Sequence, residues 1–236
     1  MKVSLRRIIA GVAVFGALFF QVSSLFRIEI AQHATLAALS AKLAELRRAE
    51  RELAAQAAYL ARLDADLGEF RDILELVRSF RTGLARHEER ALARVIQDEA
   101  HSLSLPPAML MAVIAIESAF QASARSEDGA VGLMQIQPAT AERLATERGM
   151  LWAGEQTLLD PIQNVRIGTY YLSKLIVQFE DIAVALEAFC KGPRAVAEQL
   201  EKGARTRGRY SSKVLERMRD FEPAFASTAG FRLRGV

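Results

Sequence analysis

The chain has few of the residues that form disulfides and metal sites: one cysteine and three histidines in 236 residues. A single cysteine, Cys190, cannot form a disulfide within the chain, so the hydrophobic core must hold the fold together. The histidines (His33, His87 and His101) are far apart and have no cysteine or carboxylate at the spacing of metal ligands. We therefore expect no metal site and no cofactor.

The chain also lacks a nucleic-acid-binding motif and a strong excess of charge, since its net charge at pH 7 is +3. Much of the positive excess lies in one stretch, which contains Lys202, Arg205, Arg207, Arg209, Lys213, Arg217 and Arg219. Such a patch attracts polyanions of many kinds, and a solvated helix face would have the same composition. Without a recognition motif it does not indicate RNA or DNA, and we expect no nucleic-acid partner.

Charge is nearly absent from Ile8 to Phe26, a segment of about 19 residues that is long enough to cross a bilayer. The basic residues before it, Lys2, Arg6 and Arg7, would hold the N-terminus in the cytoplasm. We predict that residues 1–27 are a single-pass membrane anchor and that everything after Arg27 lies outside the cytoplasmic membrane.

A cleaved signal peptide would have the same basic and apolar pattern. Its cleavage site would be formed by Val22 and Ser24, which match the usual Ala-x-Ala type poorly. The apolar run is also longer than a usual signal core, so we favour the uncleaved anchor.

Proline is absent between Glu29 and Glu89, where alanine and leucine dominate, and this predicts a long helix over residues 28–89. Leucines recur there at every seventh position: Leu39, Leu46, Leu53, Leu60, Leu67 and Leu74. A second row lies three positions after the later ones: Leu63, Phe70, Val77 and Leu84. Paired rows at spacings of three and four form the seam of a coiled coil.

The first half of this helix is less regular, because Leu36 and Leu43 lie on the other side of the leucine row. Two interpretations are open. The helix is a dimerising stalk that holds the C-terminal domain away from the membrane, or an amphipathic helix folded back on its own domain. We favour the stalk and predict a homodimer formed through the coiled coil.

A compact domain is predicted over residues 90–222, followed by a tail at 223–236. Helix starts are indicated by Pro106-Pro107, by Pro138 and by Asp160-Pro161, where an N-cap residue precedes a proline. No segment makes a good strand series, so the predicted fold class is all-α.

Glu117 is the first charge after a run, Ala108 to Ile116, that contains only Ala, Met, Leu, Val and Ile. A helix that is apolar on every side belongs in a protein interior, so the carboxyl group at its end lies where ionisation is costly. Desolvation raises the pKa of a carboxyl group, and a carboxyl that keeps its proton near neutral pH can act as a general acid. Glu117 is therefore a candidate catalytic acid, although a glutamate at a helix end also often reaches solvent or a backbone amide.

The motifs Glu117-Ser118 and Gly132-Leu133-Met134-Gln135 follow in order. With them the chain resembles the SLT-type lytic transglycosylases, the goose-lysozyme-like enzymes that cut the glycan strands of peptidoglycan. Further matches are Asp160-Pro161, Asn164-Val165, Gly168, Tyr171-Leu172, Tyr210 and Lys213-Val214. The resemblance spans roughly Ala93 to Met218 and implies a lysozyme-like, predominantly helical catalytic domain.

The resemblance implies that Glu117 protonates the oxygen of the β-1,4 bond between N-acetylmuramic acid and N-acetylglucosamine. The ionised Glu117 then takes a proton from the C6 hydroxyl, which closes a 1,6-anhydro ring instead of admitting water. The resemblance also implies a substrate-binding set: Ser118, Gly132, Met134, Gln135, Phe189, Cys190 and Tyr210.

Each residue of this set has an expected role in the cleft, and for several of them a purely structural role is the alternative. Ser118 would orient the Glu117 carboxylate or cap the helix end, and Gly132 would let the backbone approach the sugar closely. Met134 and Gln135 would line the cleft, with Gln135 holding a substrate amide or hydroxyl; Met134 would equally suit the core. Tyr210 would close the cleft with its hydroxyl or serve in ordinary packing.

One motif departs from the family pattern. Where the family usually has Tyr-Asn-Ala-Gly, this chain has Phe189-Cys190-Lys191-Gly192. Phenylalanine lacks the hydroxyl, and cysteine replaces an amide by a weak thiol. A lost hydrogen bond typically costs about 0.5–1.5 kcal/mol, so the departure bears on substrate affinity and rate more than on the type of reaction. An enzyme that has lost its activity is the alternative.

Two other functions remain open. A lysozyme-like hydrolase needs a second carboxylate, for which Asp128 and Glu127 are nearby, although beside Gly129 they have the composition of a turn. A non-catalytic glycan-binding scaffold of an envelope-spanning assembly would use the domain for recognition and the coil for assembly. We expect the anchored transglycosylase, with peptidoglycan, the membrane, a second copy of the chain and an envelope machine as its partners.

Overall fold

The structure, a computed structural model, describes residues 5–203 and 208–225. The α-helices of these ranges are α1 (Leu5–Ser79), α2 (Arg86–Ser102), α3 (Pro107–Ser118), α4 (Pro138–Glu147), α5 (Gln156–Leu159), α6 (Pro161–Phe179), α7 (Ile182–Lys191), α8 (Pro193–Glu201) and α9 (Arg209–Phe221). A 3₁₀-helix, Glu222–Phe225, follows α9. In the same ranges β-structure is limited to isolated bridges. The predicted all-α fold class is confirmed.

The chain divides into two units, Met1–Arg62 and Leu63–Val236. The described part of the first unit is helical and belongs to α1. By length and composition α1 can cross a membrane, and its apolar window is not buried. Because a signal sequence has the same properties, α1 supports a membrane anchor or a signal sequence. The leucine row in this unit is exposed: Leu39, Leu46, Leu53 and Leu60.

In the second unit the last turns of α1 belong to the core of the domain. Leu74 and Val77 are buried there, whereas Leu67, one heptad earlier, is 58% exposed. The buried Gln97 of α2 holds this part of α1 by donating a hydrogen bond of 2.9 Å to the carbonyl oxygen of Asp66. Leu74 and Val77 therefore pack inside their own domain, as expected for an amphipathic helix folded on its domain, and do not extend the exposed row.

The central helix of the second unit is α3. Its residues from Ala108 to Ile114 are all buried, because an apolar helix with no polar face must be covered on every side. It begins at Pro107, whose missing N–H costs nothing at a first helical position. It ends at Ser118, and the backbone of the next residue, Ala119, is left-handed with φ 49°. The last turn of α3, which carries Glu117, is only partly buried.

Two aspartates cap the N-termini of helices in the second unit. As predicted, Asp160 caps α6: its carboxylate accepts hydrogen bonds from the backbone N–H groups of Ile162 and Gln163. Asp181 caps α7 by accepting from the N–H of Val184. α7 packs against α6 and α9, and α9 packs against α3. This packing brings the end of α7 and the start of α9 to the last turn of α3.

Candidate active site

A cleft of about 420 Å³ lies at the end of α3. It is lined by the end of α3, the loop between α3 and α4, Thr140 near the start of α4, Tyr171 of α6 and the end of α7. The lining residues that bear on the chemistry are Glu117, Ser126, Asp128, Gln135, Tyr171, Phe189, Cys190 and Lys191. Of the predicted site, the structure therefore brings Glu117, Gln135, Phe189 and Cys190 together in one cleft.

Glu117 is the partly buried acid that the apolar run of α3 predicts. Burial raises the pKa of its carboxyl group, and a hydrogen bond from Tyr210 opposes part of that rise. The Tyr210 hydroxyl donates this bond to Glu117 Oε1 over 2.5 Å. Burial, together with the negative charge of Glu117, raises the pKa of Tyr210 well above its ordinary value, so Tyr210 remains a donor.

Ser118 points its hydrogen bonds at the backbone. Its hydroxyl donates to the carbonyl oxygens of Leu133 at 2.8 Å and of Ile114 at 3.2 Å. The first of these bonds ties the end of α3 to the loop that forms the opposite wall. The contact that orients the Glu117 carboxylate comes from Tyr210 instead.

Gly132 makes room for a side chain of its own domain. A Cβ atom at this position would lie 2.1 Å from Asn164 Nδ2 and 2.3 Å from the Leu158 carbonyl oxygen. The backbone also has φ 82° here, which favours glycine. The glycine is thus required by its neighbours in the fold, a role that the sequence alone does not indicate.

Asn164 is the residue that holds the Gly132–Gln135 loop, and sequence reasoning did not assign it to the site. It is fully buried. Its Oδ1 accepts a hydrogen bond of 2.8 Å from the Met134 N–H, and its Nδ2 donates at 2.9 Å to the carbonyl oxygens of Val131 and Leu158. The sequence signal for this role is an asparagine beside the apolar Val165 in the first turn of α6, because an amide that is buried there needs several hydrogen-bond partners.

Met134 and Gln135 occupy different environments although they are adjacent. Met134 is fully buried, and a Cβ atom at Gly168 of α6 would lie 2.5 Å from its Sδ, so Met134 belongs to the core. Gln135 lines the cleft. Its Nε2 donates to the carbonyl oxygens of Ala124 and Gly132, so the side chain can offer its Oε1 to a substrate as an acceptor.

The motif that differs from the family pattern, Phe189-Cys190-Lys191-Gly192, lies at the end of α7 and lines the cleft. Phe189 is largely buried, and its ring centroid lies 5.4 Å from that of Tyr171. Partial burial and the negative charges of Glu117 and Glu187 raise the pKa of the Cys190 thiol. Cys190 is therefore a neutral thiol near pH 7, not a nucleophile.

The turn before the Gly132–Gln135 loop also contributes to the cleft. Ser126 closes it by accepting a hydrogen bond of 2.9 Å from the Ala130 N–H. Asp128 lines the cleft together with Glu117, whereas Glu127 is exposed. Within residues 5–203 and 208–225, potential metal ligands do not come together in groups of three or more.

The second unit is an all-α domain in which a partly buried acid at the end of a core helix faces an open cleft. The chain belongs to the family described as the transglycosylase SLT domain, whose model matches residues 94–211, half of the chain. The resemblance drawn from the sequence motifs is confirmed.

Two relatives and one solved structure are similar to parts of the chain. The putative soluble lytic murein transglycosylase of Haemophilus influenzae is 30% identical over 104 residues, which are 44% of this chain and 18% of that protein. The endo-type membrane-bound lytic murein transglycosylase A of Klebsiella pneumoniae is 43% identical over 72 residues, 29% of this chain and 35% of that protein. The chain thus spans about a third or less of the length of these two relatives.

The structure of an inactive mutant of the lytic transglycosylase Slt from Pseudomonas aeruginosa is similar to the chain with a TM-score of 0.51 and 31% identity. The similarity covers 55% of this chain and 24% of that one.

Proposed function

We propose that the chain is a lytic murein transglycosylase. It cleaves the β-1,4 bond from N-acetylmuramic acid to N-acetylglucosamine, and Glu117 acts first as the acid and then as the base. The observation that carries this proposal is the Glu117 carboxyl group, which is partly buried in the cleft, has a raised pKa and is held by Tyr210. Membership of the transglycosylase SLT domain family supports the same reaction.

The first step needs a protonated Glu117. Because burial raises the pKa of this carboxyl group, Glu117 keeps its proton closer to neutral pH than an exposed glutamate does. The proton goes to the glycosidic oxygen as the bond from C1 of N-acetylmuramic acid to that oxygen breaks. The substrate's own N-acetyl group stabilises the positive charge that develops at C1.

The second step uses the carboxylate that remains. It takes the proton of the C6 hydroxyl, and the C6 oxygen bonds to C1 to give the 1,6-anhydro ring. Glu117 is protonated again, and no water is consumed. The Tyr210 hydroxyl donates to the Glu117 carboxylate and so stabilises the charged form between the two steps.

The cleft offers both apolar and polar contacts to a glycan strand. The Tyr171 and Phe189 rings present apolar surface, and Gln135 offers an acceptor oxygen. Cys190 stands where an amide would add a hydrogen bond. This composition supports glycan binding, with a weaker polar contact at the end of α7.

A lysozyme-like hydrolysis is the second candidate, because Asp128 lines the same cleft as Glu117. In that reaction Asp128 would assist water or the positive centre. The backbone carbonyl of Asp128 also accepts a hydrogen bond of 3.0 Å from Gln137 Nε2, which suits its role in a turn and favours the transglycosylase.

Digestion of purified sacculi with the full chain in detergent tests these functions, with the products identified by mass spectrometry. Wild type is expected to release anhydro-muropeptides, Glu117→Gln to release none, and Asp128→Asn to stay within about threefold of wild type. Reducing-end products that disappear in Asp128→Asn would establish the hydrolase. Binding of sacculi without release by any protein would establish the scaffold.

We also propose that the apolar part of α1 anchors the chain in the inner membrane and leaves the second unit in the periplasm. The exposed apolar window of α1 and the basic residues Lys2, Arg6 and Arg7 support this. Mass measurement of the membrane-bound chain is expected to find an intact N-terminus. A mature chain that starts near Leu25 would show a cleaved signal instead.

The exposed leucine row of α1 supports a homodimer through the first unit. Leu39, Leu46, Leu53 and Leu60 recur every seven residues and are each more than half exposed, which a second copy would cover as a coiled-coil seam. In this arrangement the anchored dimer opens peptidoglycan locally for an envelope machine.

A further inference from the structure

Glu187 of α7 is a buried carboxylate that the proposed reaction does not use. Only 4% of the residue is exposed. Its Oε1 accepts a hydrogen bond of 2.7 Å from the Ser211 N–H, and its Oε2 lies 2.7 Å from Lys191 Nζ. A buried charge is costly unless it is paired and hydrogen-bonded, so the position of Glu187 calls for a specific role.

The partner of Glu187 is the start of α9. The first N–H groups of a helix lack partners within the helix, and this end of the helix attracts negative charge. Glu187 reaches this end from α7 and satisfies the Ser211 N–H. Tyr210, whose hydroxyl contacts Glu117, is the residue directly before Ser211. The carboxylate thus holds the backbone beside Tyr210.

Gly208 shows how closely the carboxylate fits this helix end. A Cβ atom at Gly208 would lie 2.3 Å from Glu187 Cδ and 2.4 Å from its Oε2. The backbone of Gly208 has φ −109°, a conformation that any residue adopts. The missing side chain is therefore needed by the Glu187 carboxylate and not by the backbone.

We propose that Glu187 is a positioning residue: it fixes the start of α9 so that the Tyr210 hydroxyl reaches the Glu117 carboxylate. This inference rests on the role proposed above for Glu117. Glu187 touches neither the substrate nor the reacting atoms; it acts through Tyr210.

The charges around this site agree with that role. Burial alone would raise the pKa of Glu187, but the Lys191 ammonium and the groups of Ser211 outweigh it and lower the pKa, so Glu187 stays ionised. Its negative charge adds to the raised pKa of Tyr210, after burial, Glu117 and Cys190.

A carboxyl-carbon NMR titration of Glu117 tests the proposal without relying on activity. The full chain in detergent carries ¹³C-labelled glutamate side chains, and the Glu117 resonance is the one lost in Glu117→Gln. In Tyr210→Phe the acid dissociation constant of Glu117 should fall about tenfold, because a hydrogen bond to the charged form is lost. Glu187→Ala should cause a fall in the same direction, and the double variant should match Tyr210→Phe alone.

The sign of the change separates positioning from simple charge repulsion. If Glu187 acted only as a nearby negative charge, its removal would make Glu117 a stronger acid. A stronger or unchanged Glu117 in a folded Glu187→Ala protein would therefore overturn the proposal, as would additive effects in the double variant. Glu187→Gln keeps an acceptor for the Ser211 N–H and is expected to titrate almost as wild type does.

Gly208→Ala provides the same test if Glu187→Ala does not fold. Its methyl group should displace the carboxylate and weaken Glu117 as an acid, with no further change when Gly208→Ala is added to Tyr210→Phe. On sacculi, Glu187→Ala should lower kcat about as much as Tyr210→Phe does, with little change in KM. The two proposals can fail separately. If the Glu117 titrations change as expected in the variants but wild type releases no product from sacculi, the transglycosylase is rejected and the positioning role of Glu187 stands.

Discussion

Tyr210 donates a hydrogen bond of 2.5 Å to Glu117 Oε1, although the two residues are 93 positions apart in the chain. The bond stabilises the ionised form of a carboxyl group whose burial favours the protonated form. Burial favours the protonated Glu117 that the first step of the proposed reaction needs, and the Tyr210 hydrogen bond favours the ionised Glu117 that the second step needs. The contact therefore connects the start of α9 to both steps of the proposed reaction.

Tyr210→Phe is expected to move the alkaline limb of the pH profile to higher pH. The first step needs protonated Glu117, so activity falls as the pH rises through the pKa of that group. Removing the Tyr210 hydroxyl removes a cause that lowers this pKa, and the limb follows the pKa upward. The rate at the optimum should fall about tenfold, because the carboxylate loses a hydrogen bond. An alkaline limb that stays in place or moves to lower pH would contradict this assignment.

Gly132→Ala is expected to destabilise the domain by about 2–4 kcal/mol, measured by urea unfolding. Its Cβ atom would meet the Asn164 amide and the Leu158 carbonyl oxygen, both in the buried interior. Gly149→Ala is the matched control, because Gly149 also has a positive φ, 67°, but nothing lies within 4 Å of its added Cβ atom. That control should cost only about 1 kcal/mol. Equal losses would mean that backbone strain, not the close approach of Asn164, explains Gly132.

Cys190→Asn is expected to raise kcat/KM on sacculi roughly 2- to 10-fold. An amide in the cleft can donate and accept where the neutral thiol does so weakly, and one such hydrogen bond contributes about 0.5–1.5 kcal/mol. Cys190→Ser serves as the control, since its hydroxyl is shorter than the amide and should recover less. A slower Cys190→Asn enzyme would show that the cleft has adapted to the smaller side chain.

The double substitution Leu53→Lys/Leu60→Lys is expected to convert the proposed dimer to a monomer, measured by light scattering of the full chain in detergent. Each buried leucine contributes about 1.5–3 kcal/mol to an interface, so two per chain should weaken the dimer at least about a hundredfold. The control is Leu151→Lys, at a position 93% exposed and outside the row. A dimer that survives the double substitution but not the control would place the interface on the second unit.

The features that could be predicted from the sequence are local. The apolar run before Glu117 predicts a buried helix with an acid at its end, and Asp160-Pro161 predicts the start of α6; both are present. Such patterns depend on residues within a few turns of one another, and backbone geometry translates them directly into helices.

The features that could not be predicted depend on contacts between distant segments. Leucines of identical spacing are exposed at Leu67 and buried at Leu74, because only the end of α1 meets the domain core. Met134 and Gln135 are neighbours, yet Met134 packs against Gly168 while Gln135 lines the cleft.

The sequence by itself determined the all-α class, the family and the acid at the end of α3, because each depends on residues that are close together in the chain. Only the tertiary structure decided what holds that acid and its surroundings. Tyr210 reaches Glu117, Asn164 fills the space beside Gly132, and Glu187 meets the start of α9. Each of these contacts joins separate helices or loops, and their spacing is set by how the core packs.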